Sequence, residues 1–560
     1  MSLTAPVNNT RLIAICIVLF TAFLFLFNIG KRDLWAPDEP RYAQVAKEMR
    51  DSGNFIVPHL NSTPYPDKPP LLFWLINVFS IPFGKITALS ARLPSALAGI
   101  GCCIALFYLS KSLFQNTRIA LFSSLILATS TKFLWMAHRV AFDIILTFFV
   151  MMAIFCFYKG YLLRRSQHPV PPSLPPLSQG DDEKKSLFYY TLFYVFMALG
   201  VLTKGPVGFI LPFCTVLTYL LIKRDIRVLK ETRPWIGGVL FFLIVFAWVY
   251  LAGIYGGKEY THQILFKQNV GRFAGSFAHK RPFYYYFINF PINFTPWCVF
   301  IPGISIYLSK RVGRKKIPDI LFPVIWFAVV FIFFSIVSGK RDIYVLPLYP
   351  AASLITAWFL NEFIVQFKDA QFKKIGYVPC YILGYLALVL GIMLPIGIYK
   401  FSHENISSTF PFVVILFVGG FFMLRFLRYA RIIPFLFALI FTIFFVFNIG
   451  TLQAIPIVDQ YKSAREICER AKAVMRPDEK LAMYKFFRDP YLFYTERNYL
   501  DVIDTEDNLR QYLSSNKRVF LFMQEKDYKK ILRYQELPLF ILERDSVGHR
   551  AILFVSNRDM

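Results

Sequence analysis

Hydrophobic runs long enough to cross a bilayer recur along the chain and stop near residue 455. They fall at 11–30, 89–110, 118–136, 141–162, 187–203, 206–222, 235–254, 290–308, 317–337, 343–361, 375–398, 410–427 and 432–453. That pattern predicts about 13 membrane helices. The apolar run Leu71–Phe83 is short for a span and suits an interfacial helix. After Pro456 the pattern changes. Charged helical stretches at Ser463–Met475, Thr505–Ser515 and Lys526–Tyr534 alternate with short apolar strands at Lys480–Tyr484, Arg518–Phe522 and Ala551–Val555. The expected fold is an all-α polytopic membrane protein with a small C-terminal soluble α/β domain. Residues 1–455 form the membrane domain, with juxtamembrane helices in its first loop at 31–88, and 456–560 form the α/β domain. The latter carries neither a glycine-rich phosphate loop nor a nucleophile constellation.

Composition sharpens this reading. Hydrophobic residues make up 56% of the chain, which excludes a soluble domain of this size. The formal net charge of +27 is what positive-inside loops produce and gives no reason to invoke nucleic acid. Lys111/Arg118, Arg164/Arg165/Lys184/Lys185, Lys223/Arg224/Arg227/Lys230, Lys310/Arg311/Arg314/Lys315/Lys316, Lys373/Lys374 and Arg425/Arg428/Arg431 all fall on one side of the span count, predicted to be cytoplasmic. An odd number of spans then puts the C-terminus outside. Arg11 followed by an apolar run to Phe27, without a small-residue cleavage site, reads as an uncleaved first span. Most of the eight cysteines sit in apolar runs and show no metal or disulfide spacing. The Pro-rich insert His168–Gly180 reads as a polyproline-like cytoplasmic loop.

The polar residues on the outer side are the candidates for chemistry. The first loop, Leu34–Trp74, carries Asp38, Glu39, Arg41, Asp67 and Lys68. Its segment from residue 39 repeats apolar residues at helical spacing, so Asp38 is expected to cap a helix whose apolar face lies on the membrane. Asp38 and Arg41 share a face of that helix. Lys68 lies between Asp67 and Pro69-Pro70, and proline restricts the residue before it, so the ammonium is aimed by a stiff backbone. Further groups are His138, Arg139 and Asp143, then Lys204 in the turn Thr203–Pro206, then the 255–289 loop with His262, Lys267, Gln268, Asn269, Arg272, His279, Lys280, Arg281 and Tyr284–Tyr286. Last comes the turn Ser338–Tyr344, with Lys340 and Tyr344.

Asp143 stands in an otherwise apolar helix, where an ionised group costs about 2–3 kcal/mol and normally faces a polar cavity. The plainer reading is a structural pair with Arg139 one turn away. Lys204 has the milder alternative of a snorkelling lysine, and the tyrosines that of an interfacial belt. Taken together, several cations and two or three carboxylates on one face suit a phosphate leaving group and an acceptor or sugar amine. An activated sugar at the outer face must arrive on a lipid.

The motifs LWAPDEPRYAQVAKEM, SGNFIVPHL, YPDKPPLLFW, AFD, LTKG, NVGRF, HKRPFYYY and SGKRDIYVLPLYP resemble the bacterial lipid A aminoarabinose transferases, within the protein O-mannosyltransferase-related GT-C superfamily. The resemblance implies an inner-membrane enzyme that moves 4-amino-4-deoxy-L-arabinose from undecaprenyl phosphate to a lipid A phosphate at the periplasmic face. It implies Asp38 as the essential first-loop aspartate and Asp143 as a second functional carboxylate. Arg41, Lys68, Arg272 and Tyr344 match positions that hold the carrier phosphate; Glu39, Asp67, Lys204 and Lys340 are expected beside them as substrate- or phosphate-binding residues from their place on the outer face. Two departures stand out. Asp67 replaces a glutamate, and Lys267-Gln268 replaces a Glu-His pair whose histidine is linked to a metal. His262 is out of register with it, so neither a metal nor another cofactor is expected.

Two other readings fit a polytopic membrane chain. A transporter or flippase usually carries ionisable groups near the midplane and internal repeats; here the charges crowd one face and no repeat is evident. A sibling transferase would use mannose, galacturonate or another sugar, with a protein or oligosaccharide acceptor. Asp38, Lys68 and Asp143 are expected to converge on one outer cavity. Asp38 is expected to position substrate, because an acceptor phosphate is already anionic near neutral pH.

Overall fold

In a computed structural model of the chain, residues 10–165, 179–264, 280–313, 320–365, 370–401, 403–534 and 537–559 are described. Among them, eight helices are long and apolar enough to cross a membrane: Ala88–Phe114, Phe142–Arg165, Asp181–Lys204, Pro234–His262, Asp342–Val365, Lys374–Lys400, Ile406–Arg428 and Ile432–Lys462. Two helix pairs pass the same test together but bend by 68° and 118° at their breaks, Thr117–Thr129 with Thr131–Ala137 and Tyr285–Asn293 with Trp297–Lys310, so each is a broken span or a re-entrant loop. The remaining expected segments coincide with the shorter apolar helices Thr10–Leu26, Val207–Lys223 and Leu321–Ile336. The protein is a multi-pass membrane protein. Leu71–Phe83 is helical and short, in keeping with its expected length.

The bent pairs meet at their breaks. Thr131 donates to the Thr295 carbonyl through its backbone N–H at 3.0 Å and its hydroxyl at 2.9 Å. Trp297 Nε1 donates to Thr129 Oγ1 at 3.1 Å. Groups released where one helix breaks are thus satisfied by the other, the condition for irregular backbone at membrane depth.

The chain divides into two compact units, one of residues 1–27, 66–72 and 94–450, the other of 28–65, 73–93 and 451–560. The first-loop segment 28–65 therefore packs with the C-terminal residues, whereas the sequence reading grouped it with the membrane helices. The physical reason lies in helix Asp38–Ser52. Its residues Ala43, Val45, Ala46 and Met49 are all 0% exposed. It packs on helix Asp489–Tyr494 and on the short ladder of β1 (His59–Leu60) with β2 (Thr63–Pro64). Glu48 accepts from the backbone N–H of Asn61 at 2.9 Å and of Ser62 at 3.0 Å, and Gln44 donates to the Arg497 carbonyl at 2.9 Å. This helix is covered by protein, which corrects the expectation of a membrane-lying face.

The C-terminal part is a five-stranded mixed sheet in the order β4-β3-β5-β7-β6, with β3 Lys480–Tyr484, β4 Asp501–Ile503, β5 Val519–Gln524, β6 Phe540–Val547 and β7 Arg550–Ser556. β3 runs parallel to its neighbours β4 and β5, and β3 and central β5 are buried along most of their length, hence their continuous apolar runs. The three expected helices and three expected strands are present at Arg465–Val474, Glu506–Leu513, Glu525–Tyr534, β3, β5 and β7. The sequence reading missed β4, β6 and helix Asp489–Tyr494. β4 has only three residues and β6 alternates polar residues at the sheet edge.

Candidate active site

In the membrane unit, three distant segments bring Asp143, Lys204 and Tyr344 together. Asp143 sits in the first turn of helix Phe142–Arg165, where the helix dipole favours a carboxylate. Lys204 ends helix Gln179–Lys204, where the dipole favours a cation. Their side chains form an ion pair, and the Asp143 side chain is 8% exposed. The lysine ammonium also lies 4.2 Å from the centroid of the Tyr344 ring, within cation–π range.

Local geometry fixes that lysine. Gly205 adopts a left-handed φ of 79°, and its N–H donates to Val201 at 2.8 Å, ending the helix directly after Lys204. The chain then doubles back so tightly that a Cβ on Gly208 would lie 2.1 Å from the carbonyl carbon of Gly200. Only glycine permits that approach. At the far end of helix Phe142–Arg165, Arg165 pairs with Asp225 and Arg164 with Glu231. These basic loops therefore share a side, roughly 30 Å from Asp143 at the helical rise.

The turn carrying Tyr344 is tied down from several directions. Lys280 bridges to Gly339, and Arg281 N–H donates to the Ser338 carbonyl at 3.3 Å. Tyr286 donates its hydroxyl to the Arg341 carbonyl at 3.0 Å, and Lys132 pairs with Asp342. Lys340, expected to bind phosphate, is 3% exposed and donates its ammonium to the Val337 carbonyl of its own turn. It thus closes the turn that presents Tyr344. His138 is buried, with Nε2 2.8 Å from the Leu24 carbonyl and its ring against Phe447, a core placement. Asp67 and Lys68 lie half-buried in the turn before helix Leu71–Ser80. Arg272, Lys267, Gln268, Asn269 and His279 lie outside the described residues, as does most of the Pro-rich insert.

In the other unit, Asp38 opens helix Asp38–Ser52 but does not cap it. The N-cap position is Pro37, whose side chain makes no capping bond. Glu39, expected to bind substrate, is 0% exposed and fully engaged. Arg32 grips it side by side at 2.7 and 2.8 Å. Arg92 Nε reaches it at 2.9 Å, and the Trp35 backbone N–H at 3.1 Å. Arg92 Nη1 continues to the carbonyls of Ile29 at 2.8 Å and Arg32 at 2.6 Å. Trp35 is covered by the Arg32 guanidinium at 4.4 Å and donates Nε1 to Asp459 at 2.5 Å. Glu39 is therefore an architectural knot, which corrects its assignment to substrate. Arg92, an isolated charge in the apolar run 89–110, was the signal that the sequence reading passed over.

Arg41 reaches Asp489. Nε and Nη2 both lie 3.1 Å from Oδ2, with the arginine side chain 32% exposed and the aspartate 5%. Burial pushes the Asp489 carboxyl above the usual aspartate range against the pull of Arg41. For Arg41, burial works to lower the guanidinium and Asp489 more than compensates, so the net direction is upward. Among the described residues, no three His, Cys, Asp or Glu side chains gather as a metal site.

The arrangement offers a held lysine, an aromatic face and a carboxylate at one end of the membrane helices, the equipment for binding an anionic headgroup. Residues 10–258 match the family described as dolichyl-phosphate-mannose-protein mannosyltransferase. A protein of Aquifex aeolicus is 27% identical over 93% of this chain and 97% of its own length. The undecaprenyl phosphate-alpha-4-amino-4-deoxy-L-arabinose arabinosyl transferase 2 of Proteus mirabilis is 28% identical over 68% of this chain, which spans 66% of that relative. The crystal structure of ArnT from Cupriavidus metallidurans bound to undecaprenyl phosphate superposes with a TM-score of 0.76, covering 99% of each chain at 19% identity. At that identity the likeness is one of fold.

Proposed function

We infer that this chain, an ArnT-like glycosyltransferase, moves a sugar from a polyprenyl-phosphate carrier to an acceptor, and we propose 4-amino-4-deoxy-L-arabinose as the sugar and a lipid A phosphate as the acceptor. The observation that carries the reading is the Asp143–Lys204–Tyr344 cluster, at the end of the membrane helices opposite the basic loops. The reaction is assigned to the periplasmic face of the bacterial inner membrane, because the positive-inside rule puts the loops of Arg164, Arg165 and Lys230 in the cytoplasm.

In this reading the acceptor phosphate attacks the anomeric carbon opposite the carrier. One bond forms to the acceptor oxygen, the bond to the carrier phosphate breaks, and configuration inverts. Charge develops on the departing phosphate, and cations aimed at it lower the barrier. Lys68, Arg41 and Arg272 supply that charge, and Tyr344 supplies a hydroxyl. Lys204, held by Asp143, orients the cluster. Asp38 positions substrate, since an acceptor phosphate with a second pKa of about 6 needs no base near neutral pH. Its roles separate by substitution: Asp38→Asn keeps residual activity if it positions, and is dead at every pH if it is the base. The donor set gives no reason to require a metal, so activity should persist in a chelator.

Mass spectrometry of lipid A from cells with and without the chain tests the whole reading. The expected result is an aminoarabinose mass increment that appears only with the chain. Unchanged lipid A, with a new sugar on protein, would overturn the acceptor and favour the sibling reading supported by the mannosyltransferase match at 10–258.

A further inference from the structure

We propose that Asp489, in the C-terminal part of the chain, is a positioning residue that holds the Arg41 guanidinium ready for the carrier phosphate. The inference rests on the reading of Arg41 as a phosphate ligand. Three observations support it. First, the contact is side-on: Nε and Nη2 both address Asp489 Oδ2 at 3.1 Å. The outer edge of the guanidinium, with Nη1 and the second Nη2 proton, points away from Asp489. A guanidinium bound along one edge can still present the other to a phosphate.

Second, exposure is split. The aspartate is closed off at 5% while the arginine is 32% exposed, so a ligand meets Arg41 and not Asp489. Third, among the described residues nothing donates a hydrogen bond to the buried Asp489 Oδ1. A purely structural ion pair would be expected to satisfy both oxygens, since an unmet buried acceptor is costly. A carboxylate kept in that condition fits a residue whose task is to fix a cation. The supporting scaffold is continuous. Asp489 opens helix Asp489–Tyr494 beyond β3, and that helix packs on helix Asp38–Ser52, which carries Arg41. Anchored at both ends, the long arginine side chain is ordered before the ligand arrives, which saves the ordering cost at binding.

The test is a double-mutant cycle on the full-length protein in nanodiscs, read as the Kd for undecaprenyl phosphate and as KM and kcat for the polyprenyl-phosphate sugar. Asp489→Asn is expected to raise Kd and donor KM by about tenfold, with a smaller change in kcat. Asp489→Glu should recover part of that loss. In an Arg41→Lys background, adding Asp489→Asn should change Kd by less than about twofold, because the residue acts through the guanidinium. Independent, multiplying effects of the two substitutions would overturn the proposal in favour of a structural role. So would wild-type binding by Asp489→Asn while Arg41→Lys is weakened, an outcome that leaves the Arg41 reading standing. Wild-type binding by Arg41→Lys and Arg41→Ala would instead sink that reading. Asp489→Asn is nearly isosteric, so it carries the test should Asp489→Ala fail to fold.

Discussion

Glu39 and Asp143 are both buried carboxylates paired with cations, one in each unit, yet their surroundings differ in kind. Glu39 is saturated by two arginines and a backbone N–H, and Arg92 beside it is 0% exposed. Nothing of that group remains to offer a ligand. Among the described residues, Asp143 pairs with a single lysine that is 13% exposed and rests on an aromatic face. A cation with one carboxylate and one ring can still take an anion; a carboxylate with five donors cannot take anything. Buried charge alone therefore does not identify a site. The capacity left after the protein has satisfied its own groups does.

The sharpest way to break this contrast is Glu39→Ala. Removing one partner from a buried network costs about 3–5 kcal/mol, here by leaving Arg32 and Arg92 unpaired. The expected outcome is a large fall in thermal stability in detergent, with loss of folded protein. A Glu39→Ala protein as stable as wild type, lacking only activity, would put Glu39 back in the site. Next in size is Lys68→Ala, expected to abolish turnover in membranes at matched expression, since charge-assisted contacts contribute roughly 1.5–3 kcal/mol each in the ground state and more as charge develops. Normal turnover would remove Lys68 from the carrier site.

Lys204→Met sharpens the other side of the comparison. It should lower activity by about tenfold to a thousandfold, as for a lost charge-stabilising donor. Its effect on thermal stability should be smaller than that of Glu39→Ala, because it strands one carboxylate where Glu39→Ala strands two buried arginines. Equal stability losses in the two variants would erase the distinction. The smallest effect is expected at Tyr344. Tyr344→Phe keeps the ring over the ammonium, whereas Tyr344→Leu loses about 0.5–2 kcal/mol of cation–π attraction. A Phe variant as impaired as Leu would assign the role to the hydroxyl and thus to direct phosphate contact.

The amino-acid sequence alone determined the helices. Apolar runs and their spacing are local properties, read within one or two turns, and each expected membrane segment coincides with a helix or bent pair. The same holds for β3, β5 and β7, whose continuous apolar runs mark buried strands. It also singled out Asp143 as a charge out of place and Tyr344 and Lys204 as turn residues. Only the tertiary structure decided which charges meet. Asp143 finds Lys204 across 61 positions, Glu39 finds Arg92 across 53, and Arg41 finds Asp489 across 448. No local period encodes such partners, because an ion pair depends on where whole helices cross. For the same reason Glu39 and Asp38, neighbours with the same chemistry in sequence, parted on folding. One helical step of about 100° sends Glu39 into the arginine knot and leaves Asp38 half-buried at the helix start.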